Sequence, residues 1–284
     1  MKYNLSEKKT IEKLLAKAGF TFKKSLGQNF LTDPFVCPQM AQASADGETG
    51  VLEIGPGIGV LTAELGEVAK KVVAVELDER LRPVLAETLA DYPNVKVIFG
   101  DAMKLDLLKI IKENFADCKR VTVCANLPYY ITSPVIMMLL ESKLPVESIT
   151  VMIQKEAADR LCAEIPGRNV GAVTLSAAYY SKGNILFQVG RESFTPVPNV
   201  DSTVIRLDIR KEPPVKVKSE KALFNLIKAA FTHRRKTFVN SVSSFGGIQK
   251  EKVVSALDAL EIKPTVRAEE LSLEQFAAIS DLIV

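Results

Sequence analysis

The chain has 284 residues, 47% of them hydrophobic and 25% charged, with a formal net charge of +3; disordered and fibrous classes are excluded. The length exceeds one minimal domain and falls short of three, so one full domain and a smaller one are expected. Four scattered cysteines without a C-x-x-C pair and a single histidine, His233, argue against metal sites, disulfide frameworks and Ser-His-Asp hydrolysis. The first twenty residues lack an apolar h-region and no later run reaches bilayer length, so a cytoplasmic protein with no membrane partner is expected.

In chain order, Ile11, Leu14, Leu15 and Ala18 form a helical stripe closed by Gly19. A polar segment follows, Lys23-Lys24-Ser25-Leu26-Gly27-Gln28-Asn29-Phe30-Leu31. Short β-rich runs then recur at 51–54, 72–76, 95–99, 121–125 and 149–153 with helix-length amphipathic segments between them, which predicts an α/β domain with a parallel sheet. Two further runs, 185–189 and 203–209, flank a turn-rich Phe194-Thr195-Pro196-Val197-Pro198-Asn199 loop, and predict a terminal antiparallel hairpin in a sheet of seven strands. Pro213-Pro214 breaks the pattern, after which Ala222, Leu223, Leu226, Ile227, Ala230 and Phe231 share one helical face. The expected domains are therefore 1–212, with an N-terminal helical extension, and an all-α domain at 218–284. Eight Lys or Arg stand against Glu212 and Glu220 between Lys211 and Lys236, which suits an acidic partner.

The first strand runs into Glu53-Ile54-Gly55-Pro56-Gly57-Ile58-Gly59-Val60, where glycines let the backbone pass close under a ligand. The spacing is G-x-G-x-G, and Val60 replaces the small residue of the dinucleotide fingerprint, which weighs against NAD. Glu76 ends the second strand about twenty residues later and suits a ribose hydroxyl pair. Asp101, after the third, can accept from an adenine amine. Each acid alone is more often a solvated loop residue or helix cap. Together they mark the carboxyl edge of an open α/β sheet, where ligands bind.

The fourth strand ends in Asn126-Leu127-Pro128-Tyr129, which resembles the motif of adenine amino-methyltransferases. With Gly27-Gln28-Asn29-Phe30-Leu31, Glu53-Ile54-Gly55-Pro56-Gly57, Gln154-Lys155-Glu156, the Phe194-Thr195-Pro196-x-Pro198-x-Val200-Asp201-Ser202 run and Phe231-Thr232-His233-Arg234-Arg235-Lys236-Thr237, the chain resembles the KsgA-type (RsmA) small-subunit ribosomal RNA adenine dimethyltransferases. The resemblance runs from about residue 20 into the helical tail. It implies a Rossmann-like sheet that binds S-adenosylmethionine (SAM) through Asn29, Leu31, Gly55, Glu76, Asp101 and Asn126, with Gln28, Gly57, Leu77 and Ala102 beside them. It further implies target-adenine contacts from Asn126, a backbone carbonyl of Leu127 or Pro128, Tyr129 and Phe194, and a small ribosomal subunit as partner. Tyr130 departs from the pattern, since many relatives carry asparagine there.

These residue types suit the chemistry. An adenine amine is a poor nucleophile because its lone pair is delocalised. Two acceptors for its protons favour a tetrahedral nitrogen aimed at the methyl, and aromatic walls hold a flipped base. Lys23, Lys24, Arg234, Arg235 and Lys236 are expected to pair with phosphates, or to form a solvated face. A monomer is expected. Two other functions remain open: a related large-subunit RNA methyltransferase of the macrolide-resistance type, whose members more often carry isoleucine at the position of Leu127, and a non-catalytic ribosome-assembly or transcription factor on the same fold.

Overall fold

The computed structural model describes residues 3–17, 30–233, 235–245 and 247–283. Helix α1 (Lys8–Lys17) buries Ile11, Leu14 and Leu15; Ala18 and Gly19, its expected end, lie outside the described residues. After the short strand β1 (Phe30–Leu31) and helix α2 (Val36–Ser44), strands and helices alternate: β2 (Thr49–Ile54), α3 (Val60–Val68), β3 (Lys71–Glu76), α4 (Arg82–Thr88), β4 (Val95–Phe99), α5 (Leu107–Asn114), β5 (Arg120–Asn126), α6 (Thr132–Glu141), β6 (Ser148–Gln154), α7 (Lys155–Leu161) and α8 (Ala172–Tyr180). Next come β7 (Ser181–Val189), β8 (Phe194–Thr195) and β9 (Ser202–Ile209), then helices α9 (Glu220–Phe231), α10 (Phe238–Phe245), α11 (Lys250–Asp258) and α12 (Leu273–Ile283). None of the helices is long and apolar enough to cross a membrane among the described residues.

Seven strands form one sheet in the order β4-β3-β2-β5-β6-β9-β7. The first five are parallel. Every residue of β2 is buried, as expected of a strand covered on both faces, and this accounts for its apolar run. The two late strands are neighbours, as the sequence predicts, but β9 inserts between β6 and β7 and runs antiparallel to β6, from Ser148 opposite Asp208 to Gln154 opposite Ser202. The loop between them is not only a turn: Phe194 and Thr195 pair with Leu31 and Phe30 in a small antiparallel ribbon. The chain leaves β2 towards β3 on one side and returns to β5 on the other. That reversal opens a crevice at the strands' carboxyl ends.

The chain divides into two compact units. One takes in residues up to Ala158 together with Asn184–Ile209; the other takes in Asp159–Gly183 and the residues from Arg210 onward. The second unit thus includes a segment, 159–183, that lies inside the 1–212 stretch drawn from the sequence. The physical reason is side-chain packing. Val170, Leu175 and Tyr179 sit in one apolar cluster with Leu223, Leu226 and Phe276, the Tyr179 ring meets that of Phe224 edge-on at 5.2 Å, and its hydroxyl donates to Glu220.

A chain cut at residue 217 therefore loses the partners of Leu175 and Tyr179, side chains whose burial typically contributes about 1.5–3 kcal/mol each. Such a fragment is expected to aggregate or bind a hydrophobic dye, whereas the full chain does not. Cooperative unfolding of a soluble 1–217 fragment without dye binding would contradict this.

Candidate active site

The crevice is a cavity of about 360 Å³ walled by the ends of β2, β3, β4 and β5, within the roughly 300–1,000 Å³ range common for small-molecule sites. The loop after β2 is shaped by Gly55 and Gly57, whose φ angles of +74° and +60° disfavour any residue with a Cβ. No protein atom lies within 4 Å of a Cβ built on either one, so within the protein it is the backbone angle that selects glycine there. The Gly55 N–H donates to the Val75 carbonyl at 2.9 Å, which docks the loop on β3.

Glu76 closes β3 and is only 6% exposed. Its Oε2 accepts from the Gly57 N–H at 3.0 Å and its Oε1 from the Asp78 N–H at 2.7 Å. Burial pushes its pKa above the usual carboxylate value, while these backbone donors oppose the rise. Asp101, beyond β4, accepts from the Met103 N–H and lies 3.5 Å from the Lys104 ammonium. Ala102 lines the same wall, and Leu77, 59% exposed, stands at its rim.

On β5, Asn126 is half-buried and Leu127 buried. The Leu127 N–H donates to the Met152 carbonyl, and the Pro128 carbonyl accepts from the Ile131 N–H at 3.1 Å and the Thr132 hydroxyl at 3.3 Å. No hydrogen bond to the Leu127 carbonyl is recorded among the described residues. Of the two carbonyls left open by the sequence, Leu127 therefore has the better acceptor geometry to offer. The Tyr129 hydroxyl is tied to Ser202 at 2.8 Å, and Phe194 is 3% exposed. Both line the cavity, as do Leu31, Gly55, Gly57, Glu76, Leu77, Asp101, Ala102, Asn126, Leu127 and Pro128. Gln28, Asn29, Lys23, Lys24 and Arg234 lie outside the described residues. Arg235 and Lys236 are exposed in the second unit. His233 packs edge-on against Phe245 there, at 5.2 Å.

The sequence reading passed over Glu53. It is 1% exposed, lines the cavity, and its Oε2 has no hydrogen-bond partner. Burial pushes its pKa from an ordinary 4.5 to about 8; the nearby Thr62 hydroxyl lowers it and Glu76 raises it further. An acid in the middle of an apolar strand, Val51-Leu52-Glu53-Ile54, is the signal that marks it.

The ribosomal RNA adenine dimethylase family matches residues 19–284. Ribosomal RNA small subunit methyltransferase A of Geobacillus thermodenitrificans is 46% identical over 277 residues, covering 96% of this chain and 94% of that protein. The Bacillus pumilus protein of the same name is 46% identical over 276 residues, with coverage of 96% and 94%. Among solved structures, a dimethyladenosine transferase from Plasmodium falciparum superposes with a TM-score of 0.71 at 25% identity, covering 88% of this chain and 95% of that one. The 23S rRNA methyltransferase ErmE gives 0.67 at 25% identity, with coverage of 90% and 99%.

The Glu53 shift carries a stability consequence. Its folded pKa lies above the unfolded one, so the neutral form costs nothing at low pH, and stability is lost as pH rises from about 4.5 toward about 8. The loss approaches about 1.4 kcal/mol per pH unit in that window. Glu53→Gln removes it: thermal melts should show the variant gaining on the wild type as pH goes from 5 to 8. A constant difference across that range would contradict a buried neutral Glu53.

Proposed function

Because the chain belongs to the ribosomal RNA adenine dimethylase family, we propose that its cavity binds SAM and serves methyl transfer to adenine. The acceptors are the exocyclic amines of two adjacent adenines near the 3′ end of small-subunit (16S) ribosomal RNA, which become dimethyladenosines. The observation that carries this reading is the set of ligand-type groups at four neighbouring strand ends, Glu53, Glu76, Asp101 and Asn126, around one cavity. The residues fit the cofactor: Glu76 retains acceptor capacity for a ribose hydroxyl pair beyond its two backbone bonds, Asp101 faces an adenine amine, and Leu31, Leu77 and Ala102 supply apolar walls.

When bound, SAM supplies an electrophilic methyl on a sulfonium. The chain's own residues then make a weak nucleophile competent. The Asn126 side-chain oxygen and the Leu127 carbonyl accept the amine's two protons, which turns the nitrogen lone pair toward the methyl. The bonds on the Pro128 carbonyl fix the turn that presents them. Tyr129, held by Ser202, and the buried Phe194 both line the cavity and supply aromatic walls for a base that has left its stack. The alkylated amine is acidic enough to lose its proton without a strong general base.

The small-subunit reading rests on relatives of that name at 46% identity, against 25% for the 23S enzyme. The second unit is the RNA-contacting part: Arg235 and Lys236 project into solvent beyond α9, placed to meet phosphate. The enzyme works as a monomer in the cytoplasm on the small subunit.

Two outcomes test this. Asn126→Ala should lower turnover at saturating RNA by at least about a hundredfold, the scale for loss of a transition-state hydrogen bond, while SAM affinity changes modestly; near wild-type turnover would refute the acceptor pair. Replacing Arg235 and Lys236 with glutamine should reduce the salt slope of log affinity for RNA by roughly 0.7–0.9 per lost phosphate contact. Parallel wild-type and variant lines across a salt series would show that neither touches phosphate.

A further inference from the structure

The order of strand ends across the cavity assigns a place to each part of the cofactor. On the reading above, on which this inference rests, adenine lies over β4 at Asp101, ribose over β3 at Glu76, and the transferred methyl beside β5 at Asn126. The sheet order is β4-β3-β2-β5. The sulfonium, which is bonded to both the ribose and the methyl, would therefore lie over β2. The acid of β2 that lines the cavity is Glu53.

Among the described residues, the surroundings of Glu53 supply no cation to pair with it. Glu76 on β3, Cys37 on α2 and Cys124 on β5 are the titratable groups that interact with it, joined by the Thr62 hydroxyl on α3. All are neutral or acidic. Burial pushes both thiols up, Cys124 to about 12, so neither offers charge. The Thr62 hydroxyl lies near enough to lower the Glu53 pKa, but neither Thr62 Oγ1 nor Glu53 Oε2 has a partner at hydrogen-bond geometry. The cavity's lining cation, Arg80, is committed to Asp78 through its Nε at 2.8 Å and a second contact from Nη2. An unpaired carboxylate in such a place is costly and takes up a proton instead.

We propose that Glu53 is a proton-coupled cofactor-binding residue, neutral in the cofactor-free protein and ionised when the cationic sulfonium of SAM settles over β2. The O–H bond of the carboxylic acid breaks, its electron pair stays on the carboxylate, and the proton leaves to solvent. The pKa of about 8 in the free protein places this exchange near neutrality. Below it, capturing the cofactor requires expelling the proton, so affinity falls as pH falls, by about tenfold per unit at the limit. Glu53 thereby answers to charge, a property separate from the shape and hydrogen-bonding roles of Glu76 and Asp101.

The test is calorimetric titration of the full chain with SAM at pH 7 in buffers of differing ionisation enthalpy. At that pH the cofactor's own amino group, with an ordinary α-amino pKa of roughly 7.7–8.0, is already mostly protonated. The wild type should release close to one proton per SAM bound. Glu53→Gln keeps the shape of the neutral acid and should release none, with weaker binding that no longer weakens further as pH falls from 8 to 6.5. Infrared difference spectra of the wild type give a second readout that needs no variant: the carbonyl band of a protonated carboxyl should disappear when SAM is added. SAM binding by the wild type without proton release would overturn the proposal, as would equal release by Glu53→Gln, which would move the proton to Glu76. Failure of the wild type to bind SAM at any pH would instead overturn the functional reading itself.

Discussion

The site depends on one carboxylate. Glu76 holds the Gly57 N–H with one oxygen and the Asp78 N–H with the other, and its backbone carbonyl accepts from the Gly100 N–H at 2.8 Å. The loops that follow β2, β3 and β4 are thus pinned to a single residue at the end of the central strand of the three. Those loops form much of the cavity wall. Burial penalises the charge and the backbone donors partly offset that penalty, and the carboxylate keeps acceptor capacity in a partly dry place.

Around that pin the cavity separates recognition from reaction. The β3 and β4 ends present the carboxylates of Glu76 and Asp101, the β2 end the buried acid Glu53, and the β5 end the uncharged Asn126 and Leu127 acceptors. The fold alone does not choose the RNA. ErmE shares the architecture at a TM-score of 0.67 and carries 23S in its name, so substrate choice lies in surfaces laid on a common sheet.

Much of this was legible in the residues. The parallel strands read as apolar runs, of which β2, β3, β5 and β6 are almost wholly buried, the glycine turn follows the first of them, Glu76 and Asn126 end their strands, and Asp101 stands two residues past β4. Local pattern could not show the rest. Insertion of β9 between β6 and β7 is a long-range pairing, invisible to period. Residues 159–183 join the second unit through contacts of Val170, Leu175 and Tyr179 with helices more than forty residues away. The choice between the Leu127 and Pro128 carbonyls turned on two hydrogen bonds from Ile131 and Thr132. Glu53 was visible as an acid inside an apolar strand, yet its meaning depends on which neighbours lack charge.

The most direct measurement supplies radiolabelled SAM and the purified protein to undermethylated small and large ribosomal subunits in separate reactions, followed by nucleoside analysis of the labelled RNA. The account predicts label in dimethyladenosine of the small-subunit RNA and none in the large subunit. Label confined to the large subunit, or no transfer to either by a protein that binds SAM, would contradict it.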